Sequence, residues 1–133
     1  MKKVLITGGG GYTGCHLTSF LLSRNFKVIV FDTFWFGNYL KKHKNLKIIR
    51  GDIRKFDEKI LKNVFSVIHL ANIANDPAVD LNPTLSWDVN VLSTYQLITK
   101  CIKYRVKKFI YASSGSVYGV KRERNVTEDL ELV

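Results

Sequence analysis

Two stretches of the chain place side chains or bare backbone where chemistry could be done: TGGGGYTG, Thr7 to Gly14, and YASSGSVYG, Tyr111 to Gly119. The first lies between a β-rich run and a helical one. Two glycine registers fit it, Gly9-x-Gly11-x-x-Gly14 and Gly8-x-x-Gly11-x-x-Gly14. A glycine turn that opens a helix offers unshielded backbone N–H groups and the positive end of the helix dipole, which together receive a pyrophosphate. Glycine also serves ordinary tight turns, so the pattern needs a second mark. The other stretch gathers serine hydroxyls at the end of what reads as a buried strand.

Asp32 supplies that second mark. It follows the apolar run FKVIVF directly, 18 positions beyond Gly14 (14 to 32), close to the ~20 expected of a ribose-binding acid. A carboxylate there accepts both ribose hydroxyls of NAD and repels the 2′-phosphate of NADP; the plainer alternative is a strand-end cap. Two further stretches fit a dinucleotide lying across the carboxyl ends of strands. Asp52 and Ile53, in RGDIR, are placed to meet an adenine. LANIA, Leu70 to Ala74, is rich in small residues that allow close cofactor approach. Either could equally be plain loop.

The elements that must position these residues alternate regularly. Strands are expected at Lys3–Thr7, Phe26–Phe31, Leu46–Arg50, Val64–Leu70 and Lys108–Ala112. Helical patterns fall at Tyr12–Arg24, at Asp57–Lys62 as a short helix, and from Pro83 to about Lys103, with Pro83 suited to an early helical position. Strands alternating with helices imply an α/β fold with a parallel sheet covered on both faces. Right-handed crossovers make 3-2-1-4-5 the natural strand order of a Rossmann-type, doubly wound sheet. Only the segment from Thr33 to Asn45 blurs the pattern.

Composition narrows the class. A chain of 133 residues with 46% hydrophobic and 24% charged residues is one domain able to build a core. No apolar run approaches the ~18 residues of a membrane span, and the VLIT stretch after Lys2 and Lys3 is too short for a secretory signal. A cytoplasmic protein with no membrane partner is expected. Cys15 and Cys101 lack metal-ligand spacing and read as reduced thiols in helices. The net charge of +10 invites a nucleic-acid reading. Its cations are dispersed, with KKHK at 41–44 the one dense run, so a solvated basic face and no nucleic-acid partner are expected.

Taken in order, TGGGGYTG, the strand-end Asp32, GDI at 51–53, HLA at 69–71, NVLST at 90–94 and SSGSVYG at 113–119 resemble the extended short-chain dehydrogenase/reductase family of NAD-dependent nucleotide-sugar epimerases and dehydratases. The resemblance covers essentially the whole chain, with Ser93 standing where that family usually has glycine. It implies that the backbone at Gly8, Gly11, Tyr12, Thr13 and Gly14 holds the pyrophosphate, that Asp32 takes the adenosine ribose, and that Asp52 and Ile53 take the adenine. Leu70, Ala71, Asn72 and Ala74 would line the nicotinamide half, with Asn90 nearby. Ser114 would be the catalytic hydroxyl, hydrogen-bonding the sugar oxygen, or else a strand-end cap. Asn75–Pro83 would approach the nucleotide-sugar substrate. His16 and His69 read as structural.

That family also needs a tyrosine base and a lysine four residues later, which lowers the phenol pKa. The one literal Tyr-x-x-x-Lys, Tyr104 to Lys108, precedes the fifth strand and is expected on the wrong edge of the sheet. The chain therefore reads as an incomplete NAD-binding domain, residues 1–133, without the substrate domain and inactive by itself. The alternatives are a non-catalytic NAD-binding or regulatory module and, third, a basic RNA-associated protein. Strand five would be a bare edge. The 84–103 helix, with Leu92, Tyr95, Leu97 and Ile98, would form a homo-oligomer contact.

Overall fold

The computed structural model describes residues 1–133, the side chain of Asp76 excepted. Five strands, β1 (Lys3–Thr7), β2 (Lys27–Asp32), β3 (Leu46–Arg50), β4 (Ser66–His69) and β5 (Lys108–Tyr111), form one sheet in the order β3-β2-β1-β4-β5. Every pairing is parallel. The expected topology is therefore the observed one. Crossovers leave β1 toward β2 on one face and β4 toward β5 on the other, so the winding reverses beside β1.

Strand alternation divides the core between the two faces. Val4, Ile6, Val28 and Val30 point to one side, where Leu17, Leu21 and Leu22 of helix α1 (Tyr12–Ser23) pack against them. Leu5, Ile29, Phe31 and Val67 point to the other. There they meet Ile53, Phe56, Leu61 and Val64 from the β3–β4 connection, and Leu97 and Cys101 of helix α4 (Ser93–Lys103). Both helices end in the same way. Asn25 (φ +61) and Arg105 (φ +56) take left-handed conformations, and the N–H of Phe26 and of Val106 returns to the carbonyls of Leu21 and Cys101. That is the Schellman arrangement, which satisfies carbonyls the helix leaves open.

Several expectations need correction. Asp32 is the last residue of β2 and not the first beyond it; its carbonyl still accepts from Gly51 N–H at 2.9 Å. Asp57–Lys62 is no α-helix but a 3₁₀ turn, Glu58–Leu61, preceded by another at Ile53–Lys55. Aspartates open both, Asp52 accepting from Arg54 N–H and Asp57 from Lys59 N–H. Such local side-chain bonds favour short turns over a regular helix. Within Asn75–Pro83, for which no element was expected, Asp76–Leu81 forms a helix, α2, capped by Asn75. The long helix is really three segments: α3 (Pro83–Trp87), a π-helical turn (Asp88–Leu92) and α4. Within it Leu97 is buried in the core at 1% exposure, so it cannot belong to an outward contact face. Strand β5 is the bare edge expected, and not the buried strand that its apolar run suggests. It pairs with β4 alone, and Ile110 and Tyr111 are half exposed.

No helix is long and apolar enough to cross a membrane, among the described residues. The segment Thr33–Asn45, where a second helix might cover the α1 face, is irregular; only Phe34 and Leu40 from it join that core.

The hydroxyl of Thr18, buried on α1, has no hydrogen-bond partner among the described residues. A buried unpaired hydroxyl carries its desolvation cost unrelieved. Thr18→Val keeps the shape and removes that cost. It is expected to raise stability by about 1 kcal/mol, read as a higher urea midpoint with unchanged slope.

Candidate cofactor cleft

The carboxyl ends of β1, β2, β3 and β4 surround one cleft, lined among others by Gly8, Gly11, Asp32, Asp52, Ile53, Leu70, Ala71 and Asn72. Its existence depends on Gly8. That residue sits at φ +72, and a Cβ there would lie 2.5 Å from Ala71 N and 2.6 Å from the Leu70 carbonyl carbon. Only glycine lets the chain turn off β1 while touching the end of β4. Gly14 is needed for a different contact, because its Cβ would meet Gly9 Cα at 2.5 Å where α1 packs on the turn. Of the two registers, Gly8-x-x-Gly11-x-x-Gly14 starts at the residue that bears the left-handed turn.

Gly11 is the informative glycine. Its backbone is ordinary (φ −76), and a Cβ would find no atom nearer than 3.5 Å. The chain's own packing does not require glycine there, yet Gly11 faces the cleft as the N-cap of α1. No side chain caps this helix. The first helical bond runs from Cys15 N–H to Gly11 O, so the N–H groups of Tyr12, Thr13 and Gly14 stay unpaired among the described residues. Orphan donors at the positive end of a helix dipole form an anion seat.

Asp32 crosses this seat from β2. Oδ2 accepts from Gly10 N–H at 2.9 Å and Oδ1 from Phe34 N–H at 2.7 Å. The strand-end cap is thus real, and it does not exclude a ligand. A carboxylate offers about four acceptor sites, so each oxygen keeps a free one for a pair of vicinal hydroxyls. The same charge reaches Cys15, whose thiol pKa is raised by burial and then by Asp32.

At the far wall Asp52 is already engaged. Both of its oxygens accept from Arg54 Nε, at 3.1 and 3.0 Å, and Oδ1 also accepts from Arg54 N–H. The Arg54 hydrogen bonds hold the Asp52 carboxyl below the usual carboxylate range. Arg54 therefore shares the wall with Asp52. Sequence reading passed over it, and over Phe34 and Trp35, which also line the cleft. The Asp-x-Arg spacing was the available signal for Arg54. For the aromatic pair there was none, because Thr33–Asn45 has no periodicity.

Ala74 and Asn90 do not line the cleft, and neither do the side chains at the start of α1. Asn90 works from behind: Oδ1 accepts from Ile73 N–H at 2.8 Å and Nδ2 donates to Ile73 O at 3.1 Å. The π-turn aims it there. Ser93, in the place of the usual glycine, is buried and donates to Asp88 O at 2.8 Å, five residues back.

His69 joins this clamp to the glycine turn. Thr94 Oγ1 donates its single proton to Asn90 O at 2.8 Å, so toward His69 Nε2, also 2.8 Å away, it must accept. The proton of a neutral imidazole then sits on Nε2, and Nδ1 accepts from Thr7 Oγ1 at 2.5 Å. Burial pushes the imidazole pKa down to about 4, consistent with that neutral form. A continuous hydrogen-bonded path, buried at Thr7 and His69 and half-buried at Thr94 and Asn90, thus runs from beside Gly8 to the Ile73 wall. His69 is structural, as expected. His16 lies in an edge contact with the exposed Tyr12 ring, outside the cleft lining.

Ser114 stands apart. It follows β5 at the same edge of the sheet, is exposed, and caps the 3₁₀ turn Gly115–Tyr118 by accepting from Ser116 N–H at 3.2 Å. Its hydroxyl also bonds that of Ser116. Tyr104 and Lys108 lie at the opposite edge, where α4 ends and β5 begins, and Tyr104 packs against the core. The literal Tyr-x-x-x-Lys is therefore remote from the cleft.

A glycine turn at the reversal of a doubly wound parallel sheet, with an acid ending the second strand, defines a Rossmann-type dinucleotide-binding fold. Residues 4–132 match the NAD dependent epimerase/dehydratase family, and the chain belongs to it. It is 38% identical over 120 residues to a putative UDP-glucose 4-epimerase of Methanocaldococcus jannaschii, covering 87% of this chain and 39% of that one. To the dTDP-D-glucose 4,6-dehydratase of Dictyostelium discoideum it is 34% identical over 133 residues, covering 90% and 30%. Among solved structures, the UDP-N-acetylglucosamine 4-epimerase of Methanobrevibacter ruminantium, in complex with UDP-N-acetylmuramic acid, superposes with a TM-score of 0.87 at 33% identity, over 99% of this chain and 44% of that one. MoeE5 in complex with UDP-glucuronic acid and NAD gives 0.84 at 30% identity, over 98% and 42%. The chain thus spans well under half the length of these relatives.

The depressed His69 pKa makes stability depend on pH. An unfolded histidine titrates near 6.5 and the folded one at about 4, so the contribution is whole above 6.5. It is lost as pH falls toward 4, where the unfolded chain binds a proton that the folded chain refuses. Between pH 7 and pH 4 the chain should lose about 3 kcal/mol more than a His69→Gln variant does. Urea titrations at four pH values measure it.

Proposed function

We propose that these residues are the NAD-binding portion of a nucleotide-sugar epimerase or dehydratase. The observation that carries this reading is Gly11: a glycine that its own fold does not need, at an uncapped helix terminus, opposite an acid with a free lone pair on each oxygen. In this reading the Tyr12, Thr13 and Gly14 N–H groups bind the pyrophosphate, and Asp32 accepts the adenosine ribose hydroxyls. Ile53 packs on the adenine. Asp52, tied to Arg54, reaches its amino group only with whatever acceptor capacity remains. Leu70, Ala71 and Asn72 flank the nicotinamide half, while Ala74 and Asn90 support that wall from behind.

NAD, when bound, supplies reversible hydride transfer at a sugar carbon. The chain's own part is to orient the cofactor through Asp32 and to exclude water with the Phe34–Trp35 wall. Ser114 would offer its hydroxyl proton to the sugar oxygen. No tyrosine–lysine pair among residues 1–133 stands at that edge of the sheet, so a polypeptide of these residues alone is expected to hold NAD without turning over a sugar. The same observation keeps a second reading in view, a non-catalytic NAD-binding or regulatory module.

Calorimetric titration with NAD, NADP and an Asp32→Ala variant tests the site. Micromolar-range NAD affinity, at least tenfold weaker for NADP and lost in the variant, is expected; a folded chain that ignores NAD refutes the reading. The outer face of α4 carries Tyr95 and Ile102, 71% and 72% exposed, with Ile98 between them. A homo-oligomer through this helix is expected, and Tyr95→Glu should shift it to monomer in sedimentation velocity.

A further inference from the structure

The amino-terminal edge of the sheet, opposite the cofactor cleft, carries a second depression, lined by Lys3, Lys27, Lys44, Lys47, Lys59 and Lys62. Strand register explains three of these. Lys3 lies opposite Lys27, and Lys47 lies opposite Ile29, two residues further along β2. All three therefore stand on the sheet face that also bears Leu5, Ile29 and Phe31. The 3₁₀ turn Glu58–Leu61 and the residue after it bring Lys59 and Lys62 over the same corner, and Lys44 leads into β3.

Among the described residues, no carboxylate pairs with these charges. No carboxylate lines the depression. The nearest acids in sequence, Asp57 and Glu58, lie outside its lining; Asp57 caps the 3₁₀ turn through Lys59 N–H, and Glu58 pairs with Lys103. Among the described residues, none of the six ammonium groups joins an ion pair. Lys3 Nζ donates only to the Lys62 carbonyl, at 3.2 Å. Like charges opposed across neighbouring strands are destabilising, so a fold that gathers six around one concavity has an electrostatic demand that an anion would meet.

We propose that this depression binds a compact phosphate-rich anion, an oligophosphate or a nucleoside polyphosphate. Lysine ammonium groups suit phosphate oxygens as point charges with three donors each. The open depression offers about 410 Å³, within the roughly 300–1,000 Å³ of small-ligand sites. Ile29, Ile49 and Ile60, on the same face, give it an apolar floor. A strand of nucleic acid would need an open groove with aromatic rings for stacking, and no aromatic ring lines this depression. The site is separate from the cofactor cleft, so it stands whether or not NAD binds there.

The test is calorimetric titration of the 133-residue chain with inorganic tripolyphosphate at low salt. Saturable binding is expected, weakened at least tenfold in the triple variant Lys27→Gln, Lys47→Gln, Lys59→Gln. It should persist in Lys121→Gln, Arg122→Gln, Arg124→Gln, which removes the same charge elsewhere. Far-UV circular dichroism confirms folding, and relief of repulsion should raise the melting temperature of the first variant. ATP, tested in an Asp32→Ala background, separates the sources: affinity equal to tripolyphosphate assigns the phosphates alone, and tighter affinity assigns a nucleoside polyphosphate. No saturable binding overturns the proposal. So does an equal loss in both triple variants, which would mean attraction to net charge, or binding of an oligonucleotide but not of tripolyphosphate.

Discussion

The contact between the Gly8 backbone and the end of β4 is the constraint on which the rest of the molecule turns. A parallel sheet wound in both directions from β1 must part its crossovers somewhere, and it parts them beside Gly8. With no Cβ, the chain leaves β1 in a left-handed turn pressed against Leu70 and Ala71. A side chain there would force the glycine turn away from β4 and close the gap between the two halves of the cleft. The first strand, the helix terminus, Asp32 and the Leu70–Ile73 wall are therefore positioned by one steric allowance.

Behind that contact the site is braced by polar groups that do not line the cleft. Thr7, His69, Thr94 and Asn90 form a hydrogen-bonded chain whose proton directions are set by the one bond Thr94 has to give. Asn90 reaches Ile73 because the helix widens into a π-turn, and Ser93 satisfies the carbonyl of Asp88 as it does so. Insertions of this kind in helices often accompany functional sites. Here the purpose is geometric: a regular α-helix would rotate Asn90 away from the loop it holds.

Charge is distributed along the strands as well as between the faces. The carboxyl edge has Asp32 and Asp52, each held by donors. At the opposite edge lysine opens β1, β2 and β5. Lysines thus open three strands at the edge away from the cofactor cleft, while at the cleft itself Arg54 pairs with Asp52.

Much of this was legible in the residues alone. Strand order followed from alternation and right-handed crossovers, which leave few windings of five such strands. The glycine turn and Asp32 were legible because their roles are local: a missing Cβ, or a carboxylate ending an apolar run, acts within a few residues of itself. What needed the tertiary structure were relations between distant segments. Asn90 acts on a loop 17 residues away, and Leu97 faces inward only because of where the sheet lies. Strand five was expected as a bare edge, and it is one; its apolar run alone suggested burial, which depends on what packs against it. Six lysines scattered from position 3 to position 62 read as a solvated surface. Strand register brings three of them together, and the 3₁₀ turn and the approach to β3 add the others, gathering all six at one concavity.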